Sequence, residues 1–169
     1  MLHYVALGDS AAQGVGASSV AHGYVALLAR RIAERTGREV VVTNLSVSGA
    51  TSADVVRDQL PLLRDLHFTP DLVTLDIGAN DVVFPGHTPS TFEANLDVIL
   101  EALPEGAFVA DVPLHTVTRE TGTFGYHRYT ARDLFHPNDL GYEGWADTFW
   151  ATIEASGVLT GLGAAASNR

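Results

Sequence analysis

The chain has no cysteine, which excludes disulfides and thiolate metal sites. It also lacks any apolar run of membrane-spanning length, so no membrane insertion is expected. Cations are scarce: ten Lys and Arg stand against twenty Asp and Glu, for a net charge of −10. No basic stripe gathers them, and binding to a phosphate backbone is disfavoured, so nucleic acid is not an expected partner. The acidity reads as solubility. His3, His22, His67, His87, His115 and His127 show no ligand spacing, so neither a metal nor a cofactor is expected. Between Met1 and the first strand there is no room for a charged and then apolar leader, so the chain is expected to be cytoplasmic. An exported form whose leader has been removed stays open. The oligomeric state is not legible.

What is present fits one globular domain over 1–169: 46% hydrophobic residues over 169 positions, with a mean hydropathy of +0.13. Tyr4 to Leu7 reads as a short buried strand that stops in the small, polar stretch Gly8-Asp9-Ser10-Ala11-Ala12-Gln13-Gly14. That puts Ser10 at the carboxyl end of a strand, the rim where ligands bind in open α/β sheets. Ala21 to Thr36 carries Tyr24, Leu27, Leu28 and Ile32 on one helical face and stops at Gly37. Glu39 to Asn44 is a second strand, ending in the small-residue loop that contains Gly49. Thr51 or Ser52 caps a further helix, which Pro61 is expected to kink or end.

Leu72 to Ile77 is a third strand, emptying into Gly78-Ala79-Asn80-Asp81 as a polar loop. Ser90 with Glu93 has capping-box spacing and opens a helix to about Leu103, with Phe92, Leu96, Ile99, Leu100 and Leu103 as its stripe. Ala107 to Val112 is a fourth strand, Leu114 to Arg132 reads mostly as loop, and Phe84, Phe124, Tyr126 and Tyr129 are candidate site-lining aromatics. A closing helix runs from about Gly141 to Ala155, and 161–169 reads as a frayed tail. The βα alternation predicts a parallel sheet with helices on both faces.

Asp133 and His136 are three residues apart, so their side chains share one side of a turn. A carboxylate there can take the proton of one ring nitrogen and leave the other free to accept from a hydroxyl, which is how a serine is activated. The plain alternative is that Asp133 caps the closing helix and His136 lies on the surface. Gly49 and Asn80, at two further strand ends on the Ser10 rim, could supply oxyanion donors, though both are ordinary turn residues.

Gly8-Asp9-Ser10 with Gly14, then Gly49, then Gly78-Ala79-Asn80-Asp81, and finally Asp133-Leu134-Phe135-His136-Pro137 together resemble the four blocks of the SGNH hydrolases, or GDSL esterases and lipases. Ala11 stands where the leucine of that name is usual. The resemblance implies a flavodoxin-like three-layer α/β/α sandwich with a parallel sheet and a serine esterase acting through an acyl-enzyme. It implies Ser10 as nucleophile, His136 as general acid/base and Asp133 as its orienting acid. The oxyanion hole would be the Ser10 and Gly49 N–H groups and the Asn80 amide, and Asp9 and Asp81 would shape their loops. The expected substrate is a small-molecule ester with a small or short acyl group, since no long apolar lid is evident. Acyl transfer by the same triad is an alternative. A flavodoxin-like nucleotide- or flavin-binding module is another, but Ala11-Ala12-Gln13 does not make a phosphate-cradling loop.

The chain departs from the family between strand four and Asp133, where a helix and a fifth strand, about 30 residues, are missing. Either the protein lacks this edge unit or a segment is absent from the sequence near Pro113–Leu114. The cost of exposing a parallel strand edge favours the second.

Overall fold

The computed structural model describes residues 1–110 and 128–164. Four strands form one parallel sheet in the order β2-β1-β3-β4: β1 (Leu2–Gly8), β2 (Val40–Asn44), β3 (Leu72–Asp76) and β4 (Phe108–Ala110). Gly8 lies opposite Asp76, and Asp76 opposite Ala110, so three strands end level and deliver their loops to one rim.

The side-chain period of two sorts β1 between two cores. Leu2, Tyr4 and Ala6 face one way and pack with α1 (Tyr24–Thr36) and α6 (Asp139–Ser156). Val5 and Leu7 face the other way, toward the helical stretch over 52–64 and α5 (Pro89–Ala102). The result is the three-layer α/β/α sandwich. On the first face Tyr24 stacks on Phe149 with ring centroids 5.2 Å apart, and Arg31 bridges α1 to Glu143 at 2.9 Å and Asp147 at 2.8 Å on α6. Gly37 ends α1 in the left-handed region, φ 66°, where a side chain would be strained.

Several local expectations are corrected. Pro61 does not end its helix. The chain runs from α2 (Ser52–Asp54) through a π-turn (Val55–Gln59) into α3 (Leu60–Arg64), with Leu60 N–H donating to Val55 O. The wider turn relieves the clash between a proline ring and the carbonyl four residues back. The Gly78 loop closes at once into a short helix, α4 (Ala79–Val83). Thr88 with Thr91, not Ser90 with Glu93, makes the capping box of α5, because Pro89 takes the first helical position, where its missing N–H costs nothing. Leu100 is 50% exposed, and Ile99 is the buried anchor of that helix.

Residues 161–164 are no tail: they belong to α7 (Val158–Ala164), whose Leu159 is buried in the first core. Among the described residues the sheet has four strands, with β4 on the outside. The expected junction at Pro113–Leu114 and the loop residues His115, Phe124, Tyr126 and His127 lie outside the described residues. So does 165–169.

Candidate active site

Ser10 sits two residues beyond Gly8, the last residue of β1, and the turn around it is tight. Asp9 Oδ1 accepts from Ala11 N–H at 2.9 Å, and Ser10 O accepts from Val15 N–H at 3.0 Å. Gly8 has φ 137°, and a Cβ there would lie 2.2 Å from the Asp76 carbonyl oxygen, so only glycine fits.

The Asp133–His136 turn arrives from the other end of the chain. Asp133 Oδ1 accepts the N–H groups of Phe135 at 3.0 Å and His136 at 3.1 Å, while its Oδ2 meets His136 Nδ1 at 2.6 Å. One carboxylate therefore shapes the turn and orients the ring. His136 Nε2 lies 3.0 Å from Ser10 Oγ. With Nδ1–H donating to the carboxylate, Nε2 is the acceptor for the serine hydroxyl. The His136 bond and the two backbone amides hold the Asp133 carboxyl down at about 2, so it stays ionised whenever the imidazole can act as a base.

Asp133 does not cap the closing helix. Asn138 does, accepting from Gly141 N–H at 3.0 Å, and His136 is 19% exposed, tucked against the Ser10 loop. Gly16 makes that approach possible: a Cβ on it would lie 2.4 Å from Pro137 O and 2.9 Å from His136 Cβ.

Gly49 and Asn80 reach the same rim. Gly49 has φ 83°, and no atom lies within 4 Å of a Cβ built on it. Its glycine is thus required by left-handed backbone. Among the described residues, Ser10 N–H and Gly49 N–H donate to no protein acceptor. Asn80 Nδ2 donates to Ala50 O at 2.8 Å and reaches Asp9 Oδ2 at 3.2 Å. Asp81 ties the Gly49 and Asn80 segments together, accepting from Ser52 N–H at 2.9 Å and Ser52 Oγ at 2.5 Å. Gln13 and Asn44 join the nucleophile loop to the β2 loop through Ser46 O at 2.8 Å and Ala12 O at 2.7 Å.

A cavity of about 30 Å³ lies against Ser10, walled by Asp9, Asp76, Phe135, His136 and Trp145. That is room for one water. Burial pushes the Asp9 carboxyl up, opposed by the Ala11 N–H and by His136. Asp76, 2% exposed and with Oδ2 unpartnered among the described residues, is pushed well above the usual carboxylate range by burial and then by Asp9. Phe84 and Tyr129 do not line this cavity. Tyr129 instead holds the histidine turn, its carbonyl accepting from Asn138 N–H at 3.0 Å. A larger apolar groove of about 520 Å³ beside Leu60, Pro61 and Val98 includes no residue of this cluster. Among the described residues no three His, Asp or Glu side chains gather as a metal-binding group, and no helix is long and apolar enough to cross a membrane.

Asp76 and Gln59 were not singled out from sequence. Both carried a signal: Asp76 is a charge inside the apolar run LVTLDI, and Gln59 is a polar residue on the helix face between Val55 and Leu63.

A model of the GDSL-like lipase/acylhydrolase family matches residues 6–119. A GDSL-like esterase of Mycobacterium tuberculosis is 35% identical over 81 residues, 48% of this chain and 26% of that protein. An arylesterase of Vibrio mimicus is 34% identical over 99 residues, 59% of this chain and 47% of that protein. The chain thus matches less than half the length of either curated relative. Among solved structures, TesA superposes with a TM-score of 0.67 at 26% identity, covering 90% of this chain and 98% of that one. A family 3 carbohydrate esterase of Clostridium thermocellum gives 0.71 at 20% identity, over 96% and 98%, a likeness of fold.

Proposed function

The chain belongs to the GDSL-like lipase/acylhydrolase family, and on that premise we propose that it is a serine esterase hydrolysing carboxylic esters through an acyl-enzyme on Ser10. The observation that carries the reading is the unbroken contact from Asp133 through His136 to Ser10, at 2.6 Å and 3.0 Å. Ser10 Oγ attacks the ester carbonyl carbon while its proton passes to His136 Nε2. The carbonyl electron pair moves onto oxygen, where the Ser10 and Gly49 N–H groups and the Asn80 amide receive it. Of the two Asn80 contacts, the 3.2 Å one to Asp9 is the weaker and yields to the oxyanion. Collapse expels the alcohol, which takes the proton from His136. Water then repeats the attack, releasing the acid and restoring Ser10.

The narrow space beside Ser10, about 30 Å³, supports small acyl groups, and the arylesterase among the relatives makes an aryl acetate the natural first probe. The test is intact mass after treatment with a fluorophosphonate, together with p-nitrophenyl acetate hydrolysis. One adduct is expected on the native chain and none on Ser10→Ala, with hydrolysis lost in Ser10→Ala and His136→Ala. Full hydrolysis by Ser10→Ala would end the mechanism.

A further inference from the structure

Gln59 is 1% exposed and sits among the apolar side chains of the second core. Its amide makes two bonds, both to one residue: Gly8 N–H donates to Oε1 at 2.9 Å, and Nε2 donates to Gly8 O at 2.7 Å. A buried primary amide is costly unless fully bonded, so a side chain spent wholly on one backbone residue has a structural task there.

Strand pairing explains why Gly8 needs it. The β1–β2 ladder stops at Ala6 opposite Asn44, while β1–β3 pairing continues to Gly8 opposite Asp76. Gly8 therefore extends past the strand that would have bonded its β2 side, and the Gln59 amide takes that place. The π-turn over Val55–Gln59 adds a residue to the helical turn and aims Gln59 inward at the end of β1. Such turns recur at functional sites.

Gly8 O also accepts from Val47 N–H at 3.1 Å, and Val47 belongs to the loop carrying Gly49. Only Asp9 separates Gly8 from Ser10. One side chain thus grips Gly8, which lies two residues before Ser10 and is hydrogen-bonded to Val47, two residues before Gly49.

We propose that Gln59 is a positioning residue for the oxyanion hole, holding the Gly8 backbone so that those two N–H groups converge on one point. This rests on the esterase reading above. Preorganised donors are what an oxyanion hole requires, and a displacement of about 1 Å at a reacting centre can cost roughly 10²-fold in rate. The contribution is to the transition state, so turnover should suffer and substrate affinity should not.

The experiment compares wild type, Gln59→Leu and Gln59→Glu with p-nitrophenyl acetate from pH 5 to 8, with folding checked by circular dichroism. Gln59→Leu should lower kcat about 10- to 100-fold with KM within about twofold. Binding of methylboronic acid, which forms a tetrahedral adduct on serine, should weaken by the same factor as kcat/KM. Gln59→Glu keeps the acceptor for Gly8 N–H but, when ionised, sets a carboxylate oxygen against Gly8 O. Protonated, it can donate again. Its kcat relative to wild type should therefore rise as pH falls, while the Gln59→Leu ratio stays flat. A folded variant of either kind with wild-type kcat, or a Gln59→Glu ratio that does not move with pH, overturns the proposal. Failure of the wild type to take a fluorophosphonate would overturn the Ser10 assignment instead, and the same samples report it.

Discussion

Replacing Asn80 by alanine should damage turnover and stability by different mechanisms, and the two can be measured apart. In the transition state the change removes one oxyanion donor, worth about 10²–10³ in kcat or roughly 2.7–4 kcal/mol where such donors have been deleted. In the resting protein it strands two buried acceptors, Ala50 O at 2.8 Å and Asp9 Oδ2 at 3.2 Å. A buried acceptor left without its donor costs about 1–3 kcal/mol. For two acceptors in a chain of this length that corresponds to a Tm lower by roughly 4–24 °C, at about 2–4 °C per kcal/mol. The assay is steady-state hydrolysis of p-nitrophenyl acetate alongside thermal unfolding, both at pH 7.5. We expect kcat to fall by two to three orders of magnitude with KM within a few-fold, and Tm to fall as stated. A kcat within threefold of wild type in a folded protein would refute the role. A raised KM with kcat unchanged would assign Asn80 to ground-state binding.

Two further changes test the framework around the site. Burial and then Asp9 raise the Asp76 carboxyl well above its ordinary value in the folded state, whereas the unfolded chain loses that proton above about pH 4. Stability from this group is therefore full below pH 4 and lost as pH rises toward the folded value. Asp76→Asn removes the loss and should raise Tm more at pH 8 than at pH 4; scanning calorimetry giving equal shifts would contradict the sign. Gly16→Ala places a Cβ 2.4 Å from Pro137 O at φ 95°, which must push the His136 turn off Ser10. We expect kcat to drop by up to about 10²-fold and fluorophosphonate labelling to slow in parallel, and a variant that labels at the wild-type rate would show that the turn tolerates the intrusion.

Much of the site was legible because its signals are local. Asp133 and His136 share a turn, and three residues of spacing suffice to bring a carboxylate to Nδ1 at 2.6 Å. The Ser10 and Gly49 loops and the Gly78 turn that opens the Asn80 helix follow strands whose β-branched or apolar runs announce them, and parallel connectivity brings such segments to one rim. Helix ends were read less well. Ser90 and Glu93 have the spacing of a capping box, but Pro89 fits the first helical position so well that the start moved back to Thr88. Pro61 looked like a terminator, and a single widened turn let the helix pass it. Leu100 matched the helical stripe, yet only the neighbours of α5 decide which apolar residues are covered, and Ile99 is.

Periodicity and spacing within one turn suffice for the alternation of strands and helices, the polar segments at three strand ends and the Asp133–His136 pair. Packing alone sets Ser10 and His136, 126 residues apart, at 3.0 Å from one another, seals in Asp76 with its Oδ2 unpartnered among the described residues, and turns Gln59 inward to grip Gly8. Those outcomes follow from strand register, from one extra residue in a helical turn and from close approach at Gly16. They are fixed by how the layers pack, and no local pattern of residue types carries that information.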